Sequence, residues 1–178
     1  MKDPKDTQIL IIDVATSGFS PDKDAILEVA VVLVQASTWK VLDVHNSVVK
    51  HAAGSVNAPD FHEALLAECA GDVANSAAGV EGFLLAGPWT MADVVCNRAL
   101  DFDLKFLAKH MRMLHAALTK NKPQIELKAL EALHLARGGV PYKSDCPRTF
   151  RAADDAVSAY HELTHYVRGG IGGQGVQK

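Results

Sequence analysis

The sequence predicts an α/β domain built on a mixed five-stranded sheet flanked by helices. Three β-branched runs follow one another near the N-terminus: Gln8 to Val14, Ala25 to Val34 and Lys40 to Val49. From about Asp60 onward, helical periodicity alternates with two short apolar runs. The chain has 178 residues, 48% apolar and 22% charged, which suits one domain with a sizeable core.

Gln8 to Val14 reads as a buried first strand. Gly18, Pro21 and Asp22 are turn formers and carry the chain to the second strand, Ala25 to Val34. Lys40 to Val49 alternates loosely and completes a meander, so these strands should pair antiparallel at one edge. Asp60 to Cys69 and Ala74 to Leu85 read as helices, and Pro88 breaks the chain. Ala92 to Cys96 is a short fourth strand, expected parallel to the first. Asp103 to Leu118 reads as one helix, because Leu104, Leu107, Met111, Leu114 and Leu118 share a face. Gln124 to Leu127 is a short fifth strand, and Lys128 to Ala136 a helix closed by Arg137-Gly138-Gly139. The last helix opens at Thr149 or Phe150 and runs to about Tyr166. The domain is expected over residues 7–167, with a flexible glycine-rich tail over 168–178.

The net charge of −3 argues against a broad basic nucleic-acid surface, but not against a small site where a cation offsets phosphate charge. Cys69, Cys96 and Cys146 are widely spaced, with no Cys-x-x-Cys pair, and read as reduced thiols. The polar start, Met1 to Asp6, has no signal-peptide core, and no apolar run approaches the ~20 residues that cross a bilayer. A cytoplasmic protein with no membrane segment is the expectation.

Three acids stand where an α/β fold could gather them. Asp13 ends the first strand, Asp103 begins the helix after the fourth, and Asp155 lies in the first turns of the last helix. Ligands of open α/β sheets collect outside the carboxyl ends of the strands. Convergent carboxylates bind Mg²⁺ or Mn²⁺, and two such ions ~3.5–4 Å apart activate water and stabilise a leaving oxygen. Taken singly, each Asp reads as an ordinary cap. The usual first motif is Asp-x-Glu, and here Ala15 takes the place of the second carboxylate.

Together these segments resemble the DEDDh exonucleases, the ribonuclease H-like group that includes ribonuclease T and oligoribonuclease. Asp13-Val-Ala-Thr-Ser-Gly-Phe19 is similar to the first motif, with Ala15 for Glu. Pro21 and Asp24-Ala-Ile-Leu-Glu28-Val-Ala30 match the second strand, and Asp103-Leu-Lys-Phe-Leu-Ala-Lys-His-Met111 the second motif. Phe150-Arg-Ala-Ala-Asp154-Asp155-Ala156 is similar to the third, His-x-x-x-x-Asp, with Phe150 in the His place. The likeness runs from about Gln8 to Val167. Asn97 lies four residues before Asp101 and six before Asp103, which makes Asp101 a rival ligand. Asp103 is preferred because Phe106 and Leu107 then fall on apolar positions of the family.

The resemblance implies a ribonuclease H-like fold and 3′-to-5′ exonuclease chemistry on short or single-stranded nucleic acid, RNA favoured. It implies Asp13, Asp103 and Asp155 as catalytic metal ligands for Mg²⁺ or Mn²⁺. Thr16, Gly18 and Phe19 would contact the 3′ nucleotide, with Phe19 stacked on a base. Homodimers are common in the family and are expected here on the same ground. Ala15 and Phe150 remove a metal ligand and the general base. General-base assistance is typically worth ~10²–10⁴ in rate, so hydrolysis should be weak or lost, with one ion weakly bound. The alternative is a pseudo-exonuclease acting as a binding or regulatory module, with a protein partner. His110, Asp154 and His161 offer no replacement base by position. A third reading takes His161-Glu162-Leu163-Thr164-His165 as the His-Glu-x-x-His signature of zinc peptidases. No His, Asp, Glu or Cys follows it as a further ligand.

Overall fold

The structure is a computed structural model, and it describes residues 4–52, 55–68, 75–144, 149 and 151–169. Strand β1, Gln8–Thr16, alternates its side chains between two apolar layers, so both faces of the sheet must be covered. Strand β2, Ile26–Gln35, is buried along nearly its whole length, as a strand covered on both faces requires, and Glu28 is its one charged residue. Strand β3 is Lys40–Val48, β4 Val94–Asn97 and β5 Gln124–Glu126. The sheet order is β3-β2-β1-β4-β5. The first three strands pair antiparallel, whereas β4 runs parallel to β1 and β5 parallel to β4. The mixed five-stranded sheet read from the sequence is therefore the one present.

Helix α1 spans Pro59–Glu68, α2 Ala77–Ala86, α3 Leu100–His110, α4 Arg112–Thr119, α5 Leu127–Ala136 and α6 Ala152–Gly169. One face of the sheet packs on α2, α3 and α4 through Val80, Leu84, Phe106, Leu107 and Leu114. The other carries Ile9, Ile11, Ala15, Ala30 and Val32 against Leu127 of α5 and Ala152, Ala156, Ala159 and Leu163 of α6. The small residues on α6 recur at helical spacing, which lets the helix lie close to β1 and β2.

Three expectations are corrected. The single helix over Asp103 to Leu118 is two helices, broken at Met111, whose φ of −138° and ψ of 66° are not helical. Met111 stays fully buried, so the apolar spacing continues across the break. The first of these helices begins at Leu100, which puts Asp103 inside its first turn and not at its start. The last helix begins at Ala152, after Thr149. Phe150, Cys69, Cys146 and the tail from residue 170 lie outside the described residues. Cys96 is a buried free thiol. No helix among the described residues is long and apolar enough to cross a membrane.

Candidate active site

The carboxylates sit where the parallel strand pair ends. Pairing of β1 with β4 stops at Ile11 and Cys96, while pairing with β2 continues through Asp13 opposite Ala30 and Ala15 opposite Glu28. Asp13 thus lies beyond the carboxyl end of β4, on the sheet face that carries Ile9, Ile11 and Ala15. β1 runs on to Thr16, so Asp13 is within the strand and not at its last residue.

Asp103 is buried, and both of its oxygens are engaged. The Val14 amide donates to Oδ1 at 3.2 Å and Asn97 Nδ2 to Oδ2 at 2.6 Å. The same Asn97 nitrogen donates to Asp13 Oδ1 at 2.8 Å. Asn97, the last residue of β4, therefore bridges two carboxylates, while its own buried Oδ1 has no hydrogen-bond partner among the described residues. Burial pushes the Asp13 carboxyl up to about 7, with the charges of Asp155 and Glu28 adding and the Asn97 hydrogen bond opposing. Burial also pushes Asp103 up to about 8, with the Asp13 charge adding. Asp155 enters from the first turn of α6, half-buried and close enough for its charge to act on Asp13. Asp13 and Asp103 are thus joined through Asn97, with Asp155 near enough for its charge to act on Asp13.

Asp101 stands apart. It is exposed and paired with Lys105 one turn on, at 2.5 Å. Asp154 is also exposed and accepts from Thr149 Oγ1. The missing second carboxylate of the first motif has no substitute in Glu28, although that side chain stands directly opposite Ala15. Arg151 Nε and Nη2, the Ala152 amide and Asn46 Nδ2 already saturate its oxygens, at 2.8–3.1 Å.

Phe19 is 92% exposed, which excludes a core role for the ring. Its loop is held firmly. Lys109 pairs with Asp22 at 2.6 Å, His110 bonds the Pro21 carbonyl at 3.0 Å, and Asp24 accepts the Ser20 amide at 2.9 Å. A Cβ at Gly18 would lie 2.5 Å from the Asp24 carboxylate, so a side chain there would push Asp24 off the Ser20 amide. Thr16 Oγ1 donates to the Gly18 carbonyl at 2.6 Å. Sequence reasoning overlooked Phe102, whose ring lies 6.5 Å from that of Phe19. Its position immediately before Asp103 was the available signal.

The His-Glu-x-x-His segment forms no zinc site. Glu162 is buried and bound to Arg98 Nη1 at 2.7 Å, so it cannot serve as an exposed base. His161 packs on Tyr160, and His165 Nε2 bonds the Val140 carbonyl at 3.0 Å.

Among the described residues, no three His, Cys, Asp or Glu side chains are grouped as a metal cage. The donors fit a hard divalent cation in kind, being carboxylate oxygens, and burial disfavours the ionised forms of Asp13 and Asp103, as a site that takes up a cation on ionisation would have it. Ala15, two residues after Asp13 on the same face of β1, brings no oxygen to the set.

No family model and no curated protein matches the sequence. Solved structures do match. The zinc-bound form of an E. coli exonuclease I–single-stranded DNA complex aligns with a TM-score of 0.67 at 12% identity, over 92% of this chain and 41% of that one. A moderately thermophilic exonuclease I from Methylocaldum szegediense aligns with a TM-score of 0.65 at 11% identity, over 89% and 40%. The nuclease domain of 3′hExo, a DEDDh family member bound to rAMP, aligns with a TM-score of 0.61 at 18% identity, over 96% of both chains. The fold is that of the ribonuclease H-like exonuclease domains. The chain spans about 41% of E. coli exonuclease I and nearly all of the 3′hExo nuclease domain.

Proposed function

We propose that this chain is a DEDDh-type 3′-to-5′ exonuclease-like protein. It binds the 3′ end of short or single-stranded nucleic acid together with Mg²⁺ or Mn²⁺, and its hydrolysis is weak or lost. The observation that carries this reading is the Asp13–Asn97–Asp103 bridge beside Asp155, with the exposed Phe19 on the turn that follows β1. Ribonucleotides are favoured, in keeping with the rAMP bound to the 3′hExo domain. The exonuclease I complexes with single-stranded DNA support a single-strand preference in general.

Each residue has a role in this proposal. Asp13, Asp103 and Asp155 hold the cation, which when bound would offset phosphate charge and acidify a water. Only one ion is held, and weakly, because Ala15 supplies no oxygen. Asn97 keeps Asp13 and Asp103 in register. Phe19, with Phe102 behind it, gives the terminal base an aromatic face, and Thr16 and Gly18 shape the turn that carries it. A homodimer and a cytoplasmic location belong to the same proposal.

A pseudo-exonuclease is the second reading, favoured by Ala15 and by the full engagement of Glu28. One experiment separates the two. A 5′-labelled oligoribonucleotide is incubated with the chain and Mn²⁺, and shortening and mobility shift are read together. Shortening that stops with EDTA supports the exonuclease. A shift without shortening supports the binding module. Neither effect, on a folded protein, refutes both.

A further inference from the structure

We infer that Glu28 and Arg151 are a positioning pair: they pin the first turn of α6 to β2 and so set where Asp155 stands relative to Asp13. The inference rests on the carboxylate site proposed above.

Glu28 is fully buried in a central strand, where an isolated carboxylate would be costly. Its two oxygens accept four hydrogen bonds. Oε1 takes Arg151 Nη2 at 2.8 Å and Asn46 Nδ2 at 3.1 Å. Oε2 takes Arg151 Nε at 3.1 Å and the Ala152 amide at 2.8 Å. Ala152 is the first residue of α6, so a β2 side chain caps a helix that starts 124 residues later. The negative charge also sits at the positive end of that helix.

This geometry fixes Asp155 for a simple reason. The Asp155 amide donates to the Arg151 carbonyl at 3.0 Å, so Arg151 closes the turn that carries Asp155. Its guanidinium is held on Glu28, which faces Ala15, while Asp13 faces Ala30 two pairs further along the same ladder. Among the described residues, α6 also packs on the sheet through Ala152, Ala156, Ala159 and Leu163, and further along it makes two directional contacts, Tyr160 Oη to the Trp39 carbonyl at 2.9 Å and Glu162 to Arg98 at 2.7 Å. The apolar contacts are non-directional, and both polar ones lie beyond Asp155, so they do not fix the first turn. The bidentate ion pair does. Buried ion pairs add little net stability, and here the pair instead specifies geometry. Arg151 Nη1 also reaches Glu68, which is exposed and contributes little.

The test compares the wild-type chain with Arg151→Met, Glu28→Gln, Arg151→Lys and a core control, Leu114→Ala, remote from the site. Hydrogen exchange is read over residues 152–156 and over β2, and Mn²⁺ binding by electron paramagnetic resonance. Arg151→Met should speed exchange in the first turn of α6 by about tenfold or more while β2 keeps its protection. It should also weaken Mn²⁺ binding beyond what Leu114→Ala does at a matched loss of melting temperature. Arg151→Lys should restore only part of either effect, because it cannot be bidentate. Wild-type exchange over 152–156 in both Arg151→Met and Glu28→Gln would overturn the pin. A wild-type chain that binds no Mn²⁺ would instead refute the metal reading, and hydrogen exchange would still decide the pin.

Discussion

Glu28 stands directly across the β1–β2 ladder from Ala15, the position where the resembling family carries its second carboxylate. Opposed residues of an antiparallel pair share a face, so a glutamate at 15 would rise beside Glu28. Arg151 already pairs with Glu28, and the chief like charge left beside a new carboxylate is that of Asp13, which a bound cation would offset. Ala15→Glu should therefore fold and bind Mn²⁺ more tightly than wild type. Cleavage needs a proton acceptor as well, and Phe150 offers none. The double variant Ala15→Glu/Phe150→His should gain roughly 10²–10⁴ in cleavage rate over Ala15→Glu alone. Labelled-oligonucleotide assays with Mn²⁺ and with EDTA read both steps. A folded double variant that stays inert would show that the site has been placed wrongly.

Asp13 and Asp103 predict an unusual pH response for the metal-free chain. Unfolded, both ionise near the ordinary value of about 4. Folded, Asp13 keeps its proton up to about 7 and Asp103 up to about 8. Between these limits the native state binds more protons than the unfolded one, so stability falls as pH rises and levels off above about 8. The two groups act as a pair, and the fall belongs to both. Asp103→Asn should remove much of it. Urea unfolding in EDTA at pH 5 and pH 8 should show a smaller loss in the variant than in wild type, by on the order of a few kcal/mol. Mn²⁺ should recover stability for wild type at pH 8, because it binds the ionised form. An identical pH slope in the two proteins would contradict the buried pair.

The sequence made some of this architecture legible and hid the rest. The first three strands could be read because β-branched residues act locally and the doubly covered β2 leaves an apolar run from Val29 to Val34. The break at Met111 could not, since Leu104, Leu107, Met111, Leu114 and Leu118 keep their spacing while a single residue leaves the helix. Asp13 and Asp155 were marked by their motifs. The choice between Asp101 and Asp103 was ambiguous in spacing from Asn97. Burial separates them, because Asp103 turns inward to Val14 and Asn97 while Asp101 turns outward to Lys105. The Glu28–Arg151 pair spans 123 residues, and no local pattern announces it.

Phe19 is exposed yet sits on a turn braced by Lys109, His110 and Asp24. An exposed ring contributes little to folding, so Phe19→Ala should leave the melting temperature unchanged. If the ring stacks on a base, the same change should weaken oligonucleotide binding by ~1–3 kcal/mol. Fluorescence anisotropy with a short labelled oligoribonucleotide measures this directly. Equal affinities for wild type and Phe19→Ala would remove Phe19 from the site.

Arg98 and Glu162 give the last prediction, and it concerns the core rather than the chemistry. Glu162 is almost wholly buried, whereas Arg98 is partly exposed and reaches it at 2.7 Å. Burial pushes the Glu162 carboxyl upward, and the Arg98 charge opposes that rise. Arg98→Met would leave the buried carboxylate without its cation, at a cost of about 1–3 kcal/mol. Arg98→Met/Glu162→Leu removes the charge as well as its partner and should recover most of that loss, because an apolar pair of similar volume needs no compensation. Urea midpoints of the three proteins test the order. If Arg98→Met unfolds at the wild-type midpoint, Glu162 must be taking up its proton or reaching water, and the motif's central glutamate would again be available for another role.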